Sequence, residues 1–301
     1  RESSFPKIDT AKLKRHNLPR NSTMTDYKQL ATAARKRVLE MIFKAQTSHI
    51  GSNFSSIDLM TVLFEKLDFK HDRLVAGKSW VAATLYYLLS EKGIIPKEDL
   101  ERYCQPGEKV YMGVLEPHDI FGMEFACGSL GYSLPAAVGF TLAKKMNGEK
   151  GKVYILVTDG EMQIGTMWES IMIAKQHNLA NLIVFIDNNR LQAMGVTKDI
   201  LNIEPLDERV RSFGWHVQRI NGHDYKAIES AIENVSDSSP NMIICDTTKG
   251  KGVSFMENNN LYHYKHLSQE EFDKAMQELG GAEGARRTAQ PSSASRLAND
   301  L

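Results

Sequence analysis

The chain has 301 residues, 42% apolar and 25% charged, which fits an ordinary soluble protein with one large α/β domain or two small ones. Lys plus Arg and Asp plus Glu each number 37, so no net field directs the chain to nucleic acid or to a membrane surface. The three cysteines are too scattered for a disulfide framework or a zinc site, no apolar run is long enough to span a bilayer, and no signal-peptide core is present, so a cytoplasmic location is expected.

Residues 1–24 carry basic residues among few apolar ones and are expected to be a flexible leader, not a nucleic-acid arm. From Tyr27 to Ala45 apolar residues recur at helical spacing. A turn-rich segment, Thr47–Ser52, follows, and the pattern predicts a second helix over Ile57–Leu67. Ser79–Lys92 again reads as a helix. Cys104–Gly131 holds five glycines and two prolines and reads as an ordered functional loop, since loops of this length in a compact domain are usually functional or disordered. Gly128 and Gly131 then lead into the apolar helix Ser133–Met146, an arrangement that lets backbone N–H groups approach an anion.

Two apolar runs, Val153–Val157 and Leu182–Ile186, stop at Thr158-Asp159-Gly160-Glu161 and at Asp187-Asn188-Asn189, with a helical segment between. That pattern predicts a β-α-β unit of a parallel sheet, whose strand ends open onto one ligand-binding edge. Asp159 and Asn189 would meet there as hard-oxygen ligands for Mg²⁺, with Ca²⁺ the other cation such a pair accepts, and Mg²⁺ commonly completes its shell with phosphate oxygens. Taken singly, Asp159 reads equally as a helix N-cap and Asn189 as a turn former. Trp215–Ile220 and Met242–Cys245 are predicted strands flanking a helix near Tyr225–Val235. Ser268 and Glu271 form a capping box for a helix through Leu279, closed by Gly280. Residues 281–301 are expected to be a disordered tail.

In this order the motifs make residues 25–280 resemble the diphosphate-binding domain of a transketolase. The resemblance rests on Asp159-Gly160 followed by Asn189, on Ser48-His49-Ile50-Gly51, Leu89-Ser90-Glu91-Lys92-Gly93 and Gly128-Ser129-Leu130-Gly131, and on Lys249-Gly250-Lys251-Gly252-Val253-Ser254. It implies a doubly wound α/β fold, mainly parallel with helices on both faces, that holds thiamine diphosphate and Mg²⁺. It further implies Asp159, Asn189 and the Leu191 carbonyl as metal ligands. Gly128, Leu130, Gly160, Glu161 and His263 would contact the cofactor, with His49 and His263 facing the substrate. Taken singly, the two histidines read equally as surface or core residues.

Transketolases carry the glutamate that works on the aminopyrimidine ring in a second domain, and nothing after Leu279 has room for it. The chain is therefore expected to be one subunit of a split enzyme acting on a small sugar or 2-oxo substrate. Its site would be completed by a separate pyrimidine-binding subunit in a hetero-oligomer such as a heterotetramer. Three positions depart from the family pattern. Trp80 and Val114 stand where histidines are usual, and Ile164 stands where a glutamate usually couples two active sites. An apolar pocket orients a hydroxylated donor less strictly than a hydrogen-bonding one, so the donor or acceptor is expected to differ from the usual sugar phosphates. The alternative readings are the alpha subunit of a 2-oxo-acid dehydrogenase and a non-catalytic regulatory subunit.

Overall fold

Strands buried on both faces must offer an apolar side chain at every position, and those ending at Thr158 and Asn188 do so. The computed structural model describes residues 25–125 and 127–280 and gathers five strands into one parallel sheet. These are β1 (Arg73–Val75), β2 (Val153–Thr158), β3 (Leu182–Asn188), β4 (His216–Asn221) and β5 (Asn241–Asp246), in the spatial order β1-β2-β3-β5-β4. The expected leader and tail lie outside the described residues.

Period-2 alternation divides the core. Tyr154, Leu156, Ile183, Phe185 and Ile243 face one layer, where they pack with α1 (Tyr27–Ala45), α2 (Ile50–Lys66), α3 (Ala82–Glu91) and the later helices α8 (Tyr225–Glu233) and α9 (Gln269–Glu278). Val153, Ile155, Val157, Val184 and Ile244 face the other, with α4 (Ser133–Met146), α5 (Gly165–Gln176) and α7 (Leu206–Ser212). Helices thus cover both faces, as a doubly wound sheet requires. The capping box at Ser268 and Glu271 forms as predicted.

Three elements differ from the predictions. Helix α2 starts at Ile50 instead of Ile57, and Gly51, Ser52, Ser55 and Ser56 are all buried in it. The apolar period fails there because Ser55 and Ser56 face a buried ion pair instead of solvent. Strand β1 has only three residues, too few for a periodic signal. A four-residue helix α6 (Thr197–Ile200) and α7 occupy a stretch where no element was predicted. No described helix is long and apolar enough to cross a membrane.

Candidate active site

Strands β2 and β3 run in parallel register, pairing Thr158 with Asp187, so Asp159 and Asn189 leave the same edge of the sheet. Each makes the local contact that its residue type favours. Asp159 Oδ1 accepts from Gly160 N at 2.9 Å, and Asn189 Oδ1 accepts from Leu191 N at 3.0 Å. Asp159 Oδ2 accepts from Thr197 Oγ1 at 2.7 Å. A carboxylate has about four lone-pair sites, so acceptor capacity remains on both Asp159 oxygens. Burial raises the Asp159 pKa above its ordinary value, with nearby Asp187 adding to the effect; a cation would oppose both.

Lys249, which the sequence shows only as part of a glycine-rich motif, lies closest to this edge. It is buried, with Nζ 2.7 Å from His263 Nδ1, 3.2 Å from Asn260 Oδ1 and 3.5 Å from the Leu191 carbonyl. Its turn requires glycine at 250: φ is +80°, and a Cβ would stand 2.3 Å from the Met256 carbonyl oxygen. The stem of Lys249 crosses Gly51, where a Cβ would meet Cγ at 3.2 Å. An ammonium only donates, so His263 Nδ1 accepts and Nε2 carries the proton.

His49 comes to the same place from the head of α2. Its φ of +73° is unusual for a residue with a side chain and marks stored strain. Its N–H donates to the His263 carbonyl at 2.9 Å. Buried Asn53 uses its whole amide here. Nδ2 donates to the carbonyls of His49 (3.0 Å) and Trp80 (2.9 Å), and Oδ1 accepts from Thr84 N (3.1 Å) and Oγ1 (2.9 Å). The Trp80 ring stacks on His49 with centroids 4.6 Å apart and planes within 12°, while His263 meets His49 edge-on at 5.0 Å. Burial and the Lys249 charge hold both imidazoles neutral at pH 7, with His49 pulled down to about 4 and His263 to about 3.

The remaining expected residues line the loop before α4. Gly128 faces Val114, whose Cγ1 would lie 3.2 Å from a Cβ there, and Leu130 is half-exposed. Gly131 has φ +88°, and a Cβ would stand 2.5 Å from Ile164 Cγ2. Its N–H donates to Glu161 Oε1 at 3.0 Å, and its carbonyl accepts from Thr166 Oγ1 at 2.6 Å. Glu161 was expected to contact the cofactor. Its carboxyl group is instead wholly buried, bonded through Oε1 to Gly131 and Ser133 at the head of α4. Ile164 packs on the same glycine.

A diphosphate fits this edge. The Gln192 side-chain amide lies across Gly160, with Nε2 3.2 Å from where a Cβ would be. This buried donor has no hydrogen-bond partner among the described residues and suits a phosphate oxygen. Lys249 supplies a positive charge, and burial pulls its pKa down to about 8, with Lys78 second among the causes. Bound diphosphate would raise that value. Affinity should therefore be constant below about pH 8 and fall as pH rises from there towards the bound-state pKa. Calorimetry with thiamine diphosphate and Mg²⁺ at several pH values checks this; Lys249→Met should bind more weakly and lose the alkaline fall.

Comparison with known proteins gives a consistent picture. The family model described as "Transketolase, thiamine diphosphate binding domain" matches residues 26–288. The chain is 32% identical to one of the two-part apulose-4-phosphate transketolase's subunits in Actinobacillus succinogenes, covering 87% of this chain and 98% of that protein. It is 35% identical to a 6-deoxy-6-sulfo-D-fructose transketolase subunit of a Clostridium species, covering 84% and 96%. The crystal structure of Campylobacter jejuni transketolase superposes with a TM-score of 0.78 at 30% identity, over 86% of this chain and 43% of that one. The chain thus spans nearly all of the subunit relatives and less than half of that full-length enzyme.

Proposed function

This chain belongs to the transketolase thiamine diphosphate-binding domain family, and from that premise we propose that it is the diphosphate- and Mg²⁺-binding subunit of a two-subunit transketolase-like enzyme. The enzyme would move a two-carbon unit from a ketose or 2-oxo donor to an aldehyde or ketone acceptor. The observation that carries this reading is the meeting of Asp159, the Leu191 carbonyl and buried Lys249 at one sheet edge, beside two neutral histidines.

Thiamine diphosphate, when bound, supplies the carbon nucleophile and the electron sink for such a transfer. Asp159, Asn189 and the Leu191 carbonyl would hold Mg²⁺, while Lys249 and Gln192 would meet diphosphate oxygens. Gly160, Gly128 and Leu130 would line the cofactor. His263, with its proton on Nε2, offers one donor to a substrate or phosphate oxygen, and His49 presents a neutral imidazole held flat by Trp80. Glu161 would act from behind by fixing the Gly131 backbone.

Exposed apolar side chains sit on the loops that carry these residues: Tyr132, Met194, Leu201, Leu261 and Tyr264. Such a rim suits a protein interface, which supports a separate pyrimidine-binding partner in a hetero-oligomer. The two subunit relatives differ in the sugar that each is named for, so the donor is read from this chain's own pocket. Trp80 on His49 and Val114 on Gly128 replace polar reach with apolar surface, favouring a donor with fewer hydroxyl groups than the usual ketose phosphates.

The isolated chain should show no turnover, and mixing it with the partner should restore two-carbon transfer. Robust activity of the single chain would overturn the split-enzyme reading. Donor profiling of the complex should favour less hydroxylated donors, and efficient use of xylulose 5-phosphate with ribose 5-phosphate would overturn the donor reading.

A further inference from the structure

A second buried polar cluster lies behind the site and touches none of the residues expected to meet the cofactor. Asp58, on α2, accepts four hydrogen bonds. They come from Arg35 Nη1 (2.9 Å) and Nη2 (2.6 Å), His223 Nδ1 (2.8 Å) and Tyr225 OH (2.8 Å). Burial opposes its charge, but the His223 and Arg35 bonds win and hold its pKa well below the usual carboxylate range. Buried ion pairs are weak sources of stability, because desolvation consumes most of the Coulomb gain. Where the remaining bonds of the cluster end is therefore informative.

They end on one turn. His223 Nε2 accepts from Thr248 N at 2.8 Å, which requires His223 to carry its proton on Nδ1, facing Asp58. Arg35 Nε donates to the Lys251 carbonyl at 2.9 Å. The backbone immediately before Lys249 and two residues after it is thus held by a single carboxylate-centred network. Gly250 N adds a bond to the Gly51 carbonyl at 3.0 Å.

We propose that Arg35, Asp58 and His223 are positioning residues that aim the Lys249 ammonium at the diphosphate. This rests on the reading of Lys249 given above. The network holds the Thr248–Lys251 backbone at fixed height, so that the buried lysine stem crosses Gly51 and its Nζ stands between the Leu191 carbonyl and His263. Residues that orient a ligand-binding group from behind typically cost about 10- to 100-fold in affinity when removed.

The test is a double-mutant cycle on the assembled complex, titrated with thiamine diphosphate in the presence of Mg²⁺. His223→Phe should weaken binding at least about 10-fold. His223→Gln keeps an acceptor for Thr248 N–H and should retain most of the affinity. In a Lys249→Met background, His223→Phe should add little further loss, because the group it positions is gone. A merely structural role predicts the opposite, the same fold loss in both backgrounds, and that result would overturn the proposal. So would unchanged affinity in His223→Phe. If that variant does not fold, Arg35→Lys, which keeps a charge beside Asp58 but loses the bond to Lys251, should show the same non-additivity in smaller measure. Absence of thiamine diphosphate binding by the wild-type complex sinks the functional reading and this proposal together. Wild-type binding with additive losses sinks only the proposal.

Discussion

Asp159→Ala should abolish Mg²⁺-dependent binding of thiamine diphosphate by the assembled complex while leaving the fold intact. Loss of residues that merely orient a metal ligand costs about 10- to 100-fold, and loss of the carboxylate itself should exceed that. Asp159 is the one carboxylate among the three expected metal ligands, so it supplies the formal charge that a hard cation requires. Its stability effect has the opposite sign. The carboxyl group is buried and its folded pKa lies above the unfolded value, so at neutral pH its charge opposes folding when no cation is near. The alanine chain without ligand should melt at the wild-type temperature or above. Ligand at about 100 times its dissociation constant stabilises a folded protein by about 2.7 kcal/mol, and that increment should vanish in the variant. Paired thermal melts, with and without cofactor and Mg²⁺, read both effects. A variant that still gains stability from the pair would show that Asp159 serves only as the cap of its turn.

The parts of the site that were legible in the sequence are those built from local pattern. The runs ending at Thr158 and Asp187 announced neighbouring parallel strands, because only strands buried on both faces are apolar at every position. Asp159 and Asn189 followed from where those strands stop. Other parts depend on contacts between distant segments and leave no periodic trace. Lys249 meets His263 and the Leu191 carbonyl across 14 and 58 residues of sequence. Nothing in Lys249-Gly250-Lys251-Gly252 says which lysine turns inward, although paired glycines marked a turn that would bring the backbone close to its neighbours. The early start of α2 was hidden for the same reason, since Ser55 and Ser56 look like surface residues until Lys78 and Asp187 are brought against them. Glu161 sits one residue beyond the Asp159-Gly160 pair, and its place in the chain gave no sign that its carboxyl group turns back to the head of α4.

The ion pair of Lys78 and Asp187 is the structural counterpart of that site, and breaking it should cost more stability than removing any of the groups expected to meet the cofactor. Lys78 Nζ is 2.7 Å from the Ser52 carbonyl and 2.9 Å from each of Ser55 Oγ and Ser56 Oγ, and it bonds Asp187 directly. Three donors facing four acceptors leave none for a ligand, so this lysine serves the fold. Asp187, at the end of β3, also accepts from Ser55 and Ser56 at 2.6 Å each and from Thr247. Lys78→Met keeps most of the stem and leaves a buried carboxylate without its cation, a defect that costs about 3–5 kcal/mol. For a domain of this size each kcal/mol moves the melting temperature by about 2–4 °C, so a fall of roughly 10 °C is expected. The pH dependence should identify the cause. In the wild type, burial opposes the Asp187 charge, but Lys78 wins and holds the pKa below its ordinary value. The stability from Asp187 is then present above the unfolded pKa and lost only as pH falls through the lower folded one. Without Lys78 the same burial should push the pKa above the unfolded value, so the charge destabilises at neutral pH and acid relieves it. The gap between the two melting temperatures should narrow as pH drops towards about 4–5, because protonation neutralises the orphaned group in the variant. Lys78→Met with Asp187→Asn should recover part of the loss at neutral pH and flatten that dependence. An unchanging gap across the range would show that Lys78 stabilises through the packing of its stem, with the charge pair contributing nothing. The same variant should also weaken cofactor binding, because Asp187 joins the first turns of α2, which carry Ser52 and follow His49, to Thr247, two residues before Lys249.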